Sequence, residues 1–193
     1  MGVRLLSRAP NWAREDLVTS RALRGALGVA VFAMATAFGA RLAIPLPGTP
    51  VPFTLQLVCV LLAGSILGAR LGAASQAVYL AVGAAGAPIF AAGGGLAYLL
   101  GPTGGYLLAF PAAAYVVGLV AGRSVGTWRL PVGLVAGIAV IQAGGVAWLS
   151  IVTGSLDQAV LLGVGPFLLF DVVKVGLVLL ISRRVRPRAL ELF

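Results

Sequence analysis

Leu130 to Val152 reads LPVGLVAGIAVIQAGGVAWLSIV, 23 residues with no Asp, Glu, Lys or Arg. A helix crossing the roughly 30 Å hydrocarbon core of a bilayer needs about 20 such residues, so this run makes lipid, not water, the main solvent. Five more apolar segments lie outward from it: Ala22 to Ile44, Thr54 to Ala69, Leu71 to Ala87, Gly104 to Gly122 and Pro166 to Ser182. The expected fold class is all-α integral membrane, a six-transmembrane-helix bundle. The second and third segments are short and nearly continuous, and the turn between them is expected at Gly68, Ala69, Arg70 and Gly72, where the one charge of a long apolar stretch falls.

Composition points the same way. The chain of 193 residues is 60% hydrophobic and 10% charged, whereas soluble domains carry about 25% charged residues, and its mean hydropathy is +1.06. One membrane domain uses up this length. The expected organisation is a cytoplasmic N-terminal tail over 1–21, the six-helix domain over 22–182 and a basic cytoplasmic tail over 183–193. The N-terminal stretch holds Arg4, Arg8, Arg14, Glu15 and Asp16 and lacks the apolar core and small-residue cleavage site of a secretory signal.

Charge sets the expected orientation. Lys and Arg number 14 against 5 Asp and Glu. With both termini in the cytoplasm, Arg4, Arg8, Arg14, Arg21, Arg24, Arg70, Arg123, Arg129, Arg183, Arg184, Arg186 and Arg188 all fall on the inner side, leaving Arg41 and Lys174 elsewhere. The high pI of about 11.3 therefore reads as topology. No basic helix face with interleaved aromatics, as a polyanion would need, is present, so nucleic acid is excluded as a partner and membrane lipid takes its place. A lone Cys59 excludes a disulfide framework or cysteine cluster within one chain, and His is absent.

One pair of opposite charges lies inside an expected span: Asp171 and Lys174, in Pro166-Phe167-Leu168-Leu169-Phe170-Asp171-Val172-Val173-Lys174. Pro166 suits a helix start, and the i,i+3 spacing puts both charges on one face. Each costs on the order of 2.5 to 3.5 kcal/mol at a bilayer centre, so both are expected to face the bundle or a polar cavity. They either neutralise each other or serve a ligand. Lys174 is the only lysine; its ammonium suits an anionic substrate group and the Asp171 carboxylate suits substrate N–H donors, a combination that fits a small amphipathic acid.

Two expected outer loops stand beside this pair. Pro45-Leu46-Pro47-Gly48-Thr49-Pro50-Val51-Pro52-Phe53 has four prolines, which stiffen it into a preformed lid. Ala91 to Tyr106 mixes apolar residues with glycines that allow close backbone approach to a ligand or simply ease helix packing. It is no nucleotide loop, because a Walker A motif needs Gly-Lys-Ser/Thr and Lys174 follows Val173. Without His or a nucleophile elbow, enzyme activity is not expected, and no cofactor or metal is called for. Small-xxx-small spacings at Gly64, Gly68 and Gly72, at Gly118 and Gly122, and at Gly133 and Gly137 point to internal packing or to a partner face. The Ala ladder of the first span, Ala22, Ala26, Ala30, Ala33 and Ala37, is the better candidate for a partner interface.

Three stretches carry a family resemblance: Pro50-Val51-Pro52-Phe53-Thr54-Leu55-Gln56, Gly101-Pro102-Thr103-Gly104-Gly105-Tyr106 with Phe110 following, and Asp171-x-x-Lys174. Over roughly residues 22 to 182 the chain resembles the BioY family, the biotin-specific substrate-capture (S) components of energy-coupling factor (ECF) transporters. The resemblance implies a multi-pass protein of the inner (cytoplasmic) membrane that binds biotin near its outer face, beneath the loops between spans 1 and 2 and between 3 and 4. Biotin would be transported substrate, not cofactor. By likeness Asp171 meets the ureido N–H groups and Lys174 the polar network or the valerate carboxylate, with Gln76, Tyr79, Phe90, Tyr106, Phe53 and the Gly93 to Gly95 backbone, Gly94 included, in support. Where family members offer an amide in the glycine-rich loop this chain has small and apolar residues, which leaves one substrate hydrogen bond unassigned. The implied partners are a transmembrane coupling subunit and ATPase subunits, or a second copy of a solitary protein. An S component for another vitamin acid, such as pantothenate or lipoate, and a non-transporting membrane scaffold stay open as alternatives.

Overall fold

The computed structural model describes residues 11–123 and 128–192. Arg4 and Arg8 of the expected tail lie outside these residues. Along the chain run α1 (Asn11–Arg41), β1 (Ala43–Ile44), β2 (Phe53–Thr54), α2 (Gln56–Leu67), α3 (Ala69–Ala84), the single turn α4 (Leu96–Leu99), α5 (Gly104–Ala121), α6 (Arg129–Thr153), α7 (Leu156–Gly163), a 3-10 turn over Gly165–Phe167 and α8 (Leu168–Leu192). Four helical stretches are long and apolar enough to cross a membrane: Ser20–Arg41, Gly104–Ala121, Arg129–Thr153 and Leu156–Leu192. The helices α2 and α3, with 12 and 16 residues, are shorter than the spans expected there.

The helix boundaries have local causes. Ile44 precedes Pro45, and a residue before proline is pushed out of the helical region. The chain accordingly leaves α1 at Arg41 and pairs antiparallel, Ala43 with Thr54 and Ile44 with Phe53, so that a two-rung ribbon closes the base of the proline-rich loop. Gly68 separates α2 from α3 at φ +82°, a conformation that costs glycine little, and its N–H donates to the Gly64 carbonyl at 3.1 Å to finish α2. Arg70 thus lies in the first turn of α3, not in a longer loop. Further along, a side chain at Gly118 would collide with the Gly68–Ala69 backbone, so α5 and the α2–α3 corner touch main chain to main chain. The glycine spacings of α2, α5 and α6 serve packing inside this bundle.

Apolar packing forms two clusters. Near the loops, Tyr79, Phe90, Tyr106, Phe110, Ile141, Leu149 and Phe167 pack together; toward the other end, Leu61, Val117, Leu130, Leu134 and Val178 do so. Large apolar side chains also face outward, Leu23, Leu27, Val31, Met34 and Phe38 along α1 and Leu169, Val172, Val173 and Leu180 along α8. A soluble monomer rarely exposes such continuous apolar stripes, whereas a helix bathed in lipid must.

Helix extends beyond the expected spans in three places. The sequence between spans 5 and 6 is not a plain loop: Gly154 ends α6 at φ +71°, and Ser155 caps α7 by accepting the Gln158 N–H at 3.4 Å, a Ser-x-x-Gln start signal. The expected basic tail after Ser182 is not separate either, since α8 continues to Leu192. Within it Arg186 is 2% exposed and donates to the carbonyls of Ser65 (3.0 Å), Ala121 (2.8 Å) and Gly122, the C-terminal ends of α2 and α5. The N-terminal side is comparable, with residues 11–21 continuing α1 rather than standing apart.

Candidate substrate-binding site

Asp171 and Lys174 face inward from the first two turns of α8, 6% and 4% exposed, which places both charges away from lipid. Lys174 Nζ donates to Asp171 Oδ1 at 3.3 Å and lies 4.5 Å from the centroid of the Phe53 ring, close enough for a cation–π contact. Phe53 in turn packs on Phe170 at 4.9 Å. The second carboxylate oxygen of Asp171 accepts from Gln142 Nε2 of α6 at 2.6 Å. Partners on two other elements, β2 and α6, therefore hold the pair in place on α8.

A cavity opens on this cluster. Val51 and Pro52 of the proline-rich loop, with Thr54, Gln56 and Leu57, form one wall; Ala91, Tyr98 and Thr103 of the glycine-rich region form another; Tyr106, Leu107 and Phe110 of α5, Gln142, and Phe167, Asp171 and Lys174 complete it. Its volume is about 50 Å³, against roughly 300 Å³ and upward for pockets that take small molecules. A vitamin-sized ligand enters only if a wall moves, and the walls free of helix are the two loops.

Both loops are tied down by identifiable bonds. Thr49 Oγ1 donates to the Leu162 carbonyl of α7 at 2.7 Å and accepts from Val51 N–H at 3.2 Å, so the lid is latched over the cavity. The second loop is closed by reciprocal hydrogen bonds between Phe90 and Gly93, 2.8 and 3.3 Å, and by Gly95 N–H to the Gly83 carbonyl at 2.7 Å. Beneath it, Phe90 stacks on Tyr98 at 5.1 Å and meets Tyr79 edge-on at 5.5 Å.

The residues picked from sequence divide accordingly. Asp171, Lys174 and Tyr106 line the cavity, with Phe53 against the ammonium. Tyr106 presents its ring, because its hydroxyl donates to the Gly163 carbonyl at 3.0 Å and holds the end of α7. Gln76 is placed elsewhere: it is fully buried, and its amide accepts from Thr36 Oγ1 of α1 at 3.1 Å and donates to Ser75 Oγ at 3.0 Å. Tyr79 stands behind the wall, accepting from Gln56 Nε2 at 2.7 Å and donating to the Ile89 carbonyl at 3.2 Å. Phe90, Gly93 and Gly94 also lie outside the lining; they shape the loop that carries Ala91 and Tyr98, and Gly94 is pressed against the Ala87 carbonyl where no side chain fits. On α1, Ala22, Ala26 and Ala30 line one shallow groove against α3, and Ala30, Ala33 and Ala37 line its continuation.

Sequence reading passed over Gln142, Leu107 and Phe167. The last two are apolar and carry no signal before the fold is known. Gln142 does carry one, as the only Gln or Asn in the run from Leu130 to Val152, because an amide in an apolar span is costly unless it is bonded.

Comparisons with known proteins meet this geometry. A probable biotin transporter of Pyrococcus horikoshii is 41% identical over 159 residues, 82% of this chain and 93% of that one. The biotin transporter of Thermotoga maritima is 38% identical over 171 residues, 88% of this chain and 99% of that one. A crystal structure of the S-component for biotin from an ECF-type ABC transporter superposes with a TM-score of 0.78 at 27% identity, covering 86% of this chain and 92% of its own. The BioY family model matches residues 13–191, and with 179 of the 193 positions inside that match the chain belongs to the BioY family.

Proposed function

We propose that this protein takes up biotin across the cytoplasmic membrane as the substrate-binding S component of an ECF-type transporter. The observation that carries the proposal is the buried Asp171–Lys174 ion pair on the wall of an aromatic-lined cavity beneath two tethered loops. Asp171 accepts from the ureido N–H side of the ring system, Lys174 serves the polar network or the valerate carboxylate, and the rings of Tyr106, Phe110 and Phe167 offer apolar surface to the rest. The fused rings and short chain of biotin suit that division, and it involves no chemical reaction.

The reading extends to topology. Six helices cross, α1, α2, α3, α5, α6 and α8, with both termini cytoplasmic. At 1.5 Å per residue α2 and α3 span only about 18 and 24 Å, but non-helical backbone at membrane depth is tolerated where protein covers it, and most residues of α2 are buried. Arg123, Arg129 and Arg186 gather at the end opposite the loops, bonded to Leu190, Val120 and the α2 and α5 termini, as the positive-inside rule requires of a cytoplasmic face. The α1–α3 groove lined by Ala26, Ala30, Ala33 and Ala37 suits close approach of a helix from the coupling subunit, or of a second copy where no ATPase module serves.

Calorimetric titration of the purified, detergent-solubilised chain with biotin tests the substrate, and tight one-to-one binding is expected. Heat with pantothenate or lipoate but none with biotin transfers the same site to another vitamin acid. No saturable binding of any of them leaves a scaffold.

A further inference from the structure

Gln142 makes one hydrogen bond and withholds another. An ionised carboxylate only accepts, so the amide atom 2.6 Å from Asp171 Oδ2 is the donor Nε2. That contact fixes the amide and turns Oε1 away from Asp171. Oε1 is buried and accepts no hydrogen bond from any described residue; among the buried side-chain nitrogen and oxygen atoms of the described residues it is the one left in that condition. Buried polar atoms are nearly always partnered, and an exception has a cause. Here the exception belongs to a residue on the cavity wall, next to the ion pair and on a different helix.

From this we propose that Gln142 is a substrate-contacting, specificity-determining residue whose Oε1 accepts a hydrogen bond from one N–H of a cyclic urea. The inference rests on the biotin reading above and deepens it. A cyclic urea directs its two N–H donors to opposite sides of its carbonyl, so a single carboxylate cannot receive both in line. The cluster supplies two acceptors, Asp171 and the Gln142 carbonyl, against those two donors, with the Lys174 ammonium as the available donor. Asp171 then has two tasks: it meets one N–H and, through Nε2, aims Gln142 at the other. The glycine-rich loop offers no amide in this chain, and α6 provides one.

The test is a cycle between protein and ligand by calorimetry, using the purified full chain with biotin and with the two mono-N-methylated ureido isomers of biotin. Gln142→Met keeps the length of the side chain and removes the acceptor; Gln142→Ala is the second variant should the first not fold. Biotin is expected to bind either variant roughly 5- to 150-fold more weakly than wild type, the span for a buried group left unpaired. One methylated isomer is expected to bind variant and wild type alike, since its donor to Oε1 is already gone. Equal weakening of biotin and both isomers overturns direct contact and leaves Gln142 as a positioning residue for Asp171. Unchanged biotin affinity in a folded variant also overturns it, with Oε1 satisfied by water. A wild-type chain that binds no biotin overturns the transport reading instead, and this inference with it.

Discussion

Thr49 and Leu162, 113 positions apart, are joined by a 2.7 Å hydrogen bond from the threonine hydroxyl to the leucine carbonyl. It connects the proline-rich loop to α7, the short helix that follows α6. Prolines reduce the freedom of the loop before it closes, so one latch is enough to hold it. With only about 50 Å³ beneath the loop, ligand exchange requires a wall to move, and this bond holds one of the two loops that form such walls.

Thr49→Val removes the latch while keeping the shape of the side chain. A net hydrogen bond is worth about 0.5 to 1.5 kcal/mol, so biotin association and dissociation should both accelerate, each by up to roughly 2- to 13-fold. Competition release of labelled biotin measures this directly. An unchanged off-rate would mean that another segment gates the cavity.

Lys174 and Asp171 are held together in a poorly solvated place, where removing one partner of a buried pair costs about 3 to 5 kcal/mol. Lys174→Ala should therefore abolish high-affinity biotin binding and lower the Tm of the inserted protein. The double variant Asp171→Asn with Lys174→Met should recover Tm but not binding. Recovery of binding in that double variant would show that the ions serve only each other.

Much of this was legible in the sequence because lipid imposes strict rules. Uninterrupted apolar length gave the long helices, the lone charge at Arg70 beside Gly68 gave the α2–α3 corner to within two residues, and the i,i+3 spacing of Asp171 and Lys174 gave the buried ion pair on the cavity wall. Other features were hidden by ambiguity of residue type. Arg186 has the same sequence signature as any inner-edge arginine, and only tertiary packing reveals that its guanidinium reaches under α2 and α5. Gln76 and Gln142 are both amides in apolar helices; sequence favoured the first, yet the fold gives it Thr36 and Ser75 as partners and brings the second to Asp171. The helix α7 announced itself through Ser155 and Gln158, a capping signal that is easily missed in so short a segment.

Arg186 separates stability from binding. Its bonds to three terminal carbonyls lie at the far end from the cavity, and a charge-assisted hydrogen bond contributes about 1.5 to 3 kcal/mol. Arg186→Leu should lower the Tm markedly, while biotin affinity in the surviving folded fraction stays at the wild-type value. Thermal unfolding with and without biotin checks both halves, and a loss of affinity without loss of Tm would place this residue in the transport cycle instead of the scaffold.

Gly145 gives the sharpest steric test of the pocket. It lies on α6 directly behind the Tyr106 ring, and a Cβ at this position would collide with three of the ring carbons. The ring cannot retreat along α5 without losing its hydroxyl bond to the Gly163 carbonyl, so the direction left to it is into the cavity, whose wall it already forms. Overpacking of this kind costs about 1 to 3 kcal/mol. Gly145→Ala should thus weaken biotin binding by an order of magnitude or more, and adding Tyr106→Phe, which frees the ring from α7, should restore part of it. Titrating the single and double variants decides the point: if Gly145→Ala binds like wild type, the Tyr106 ring does not border the bound vitamin.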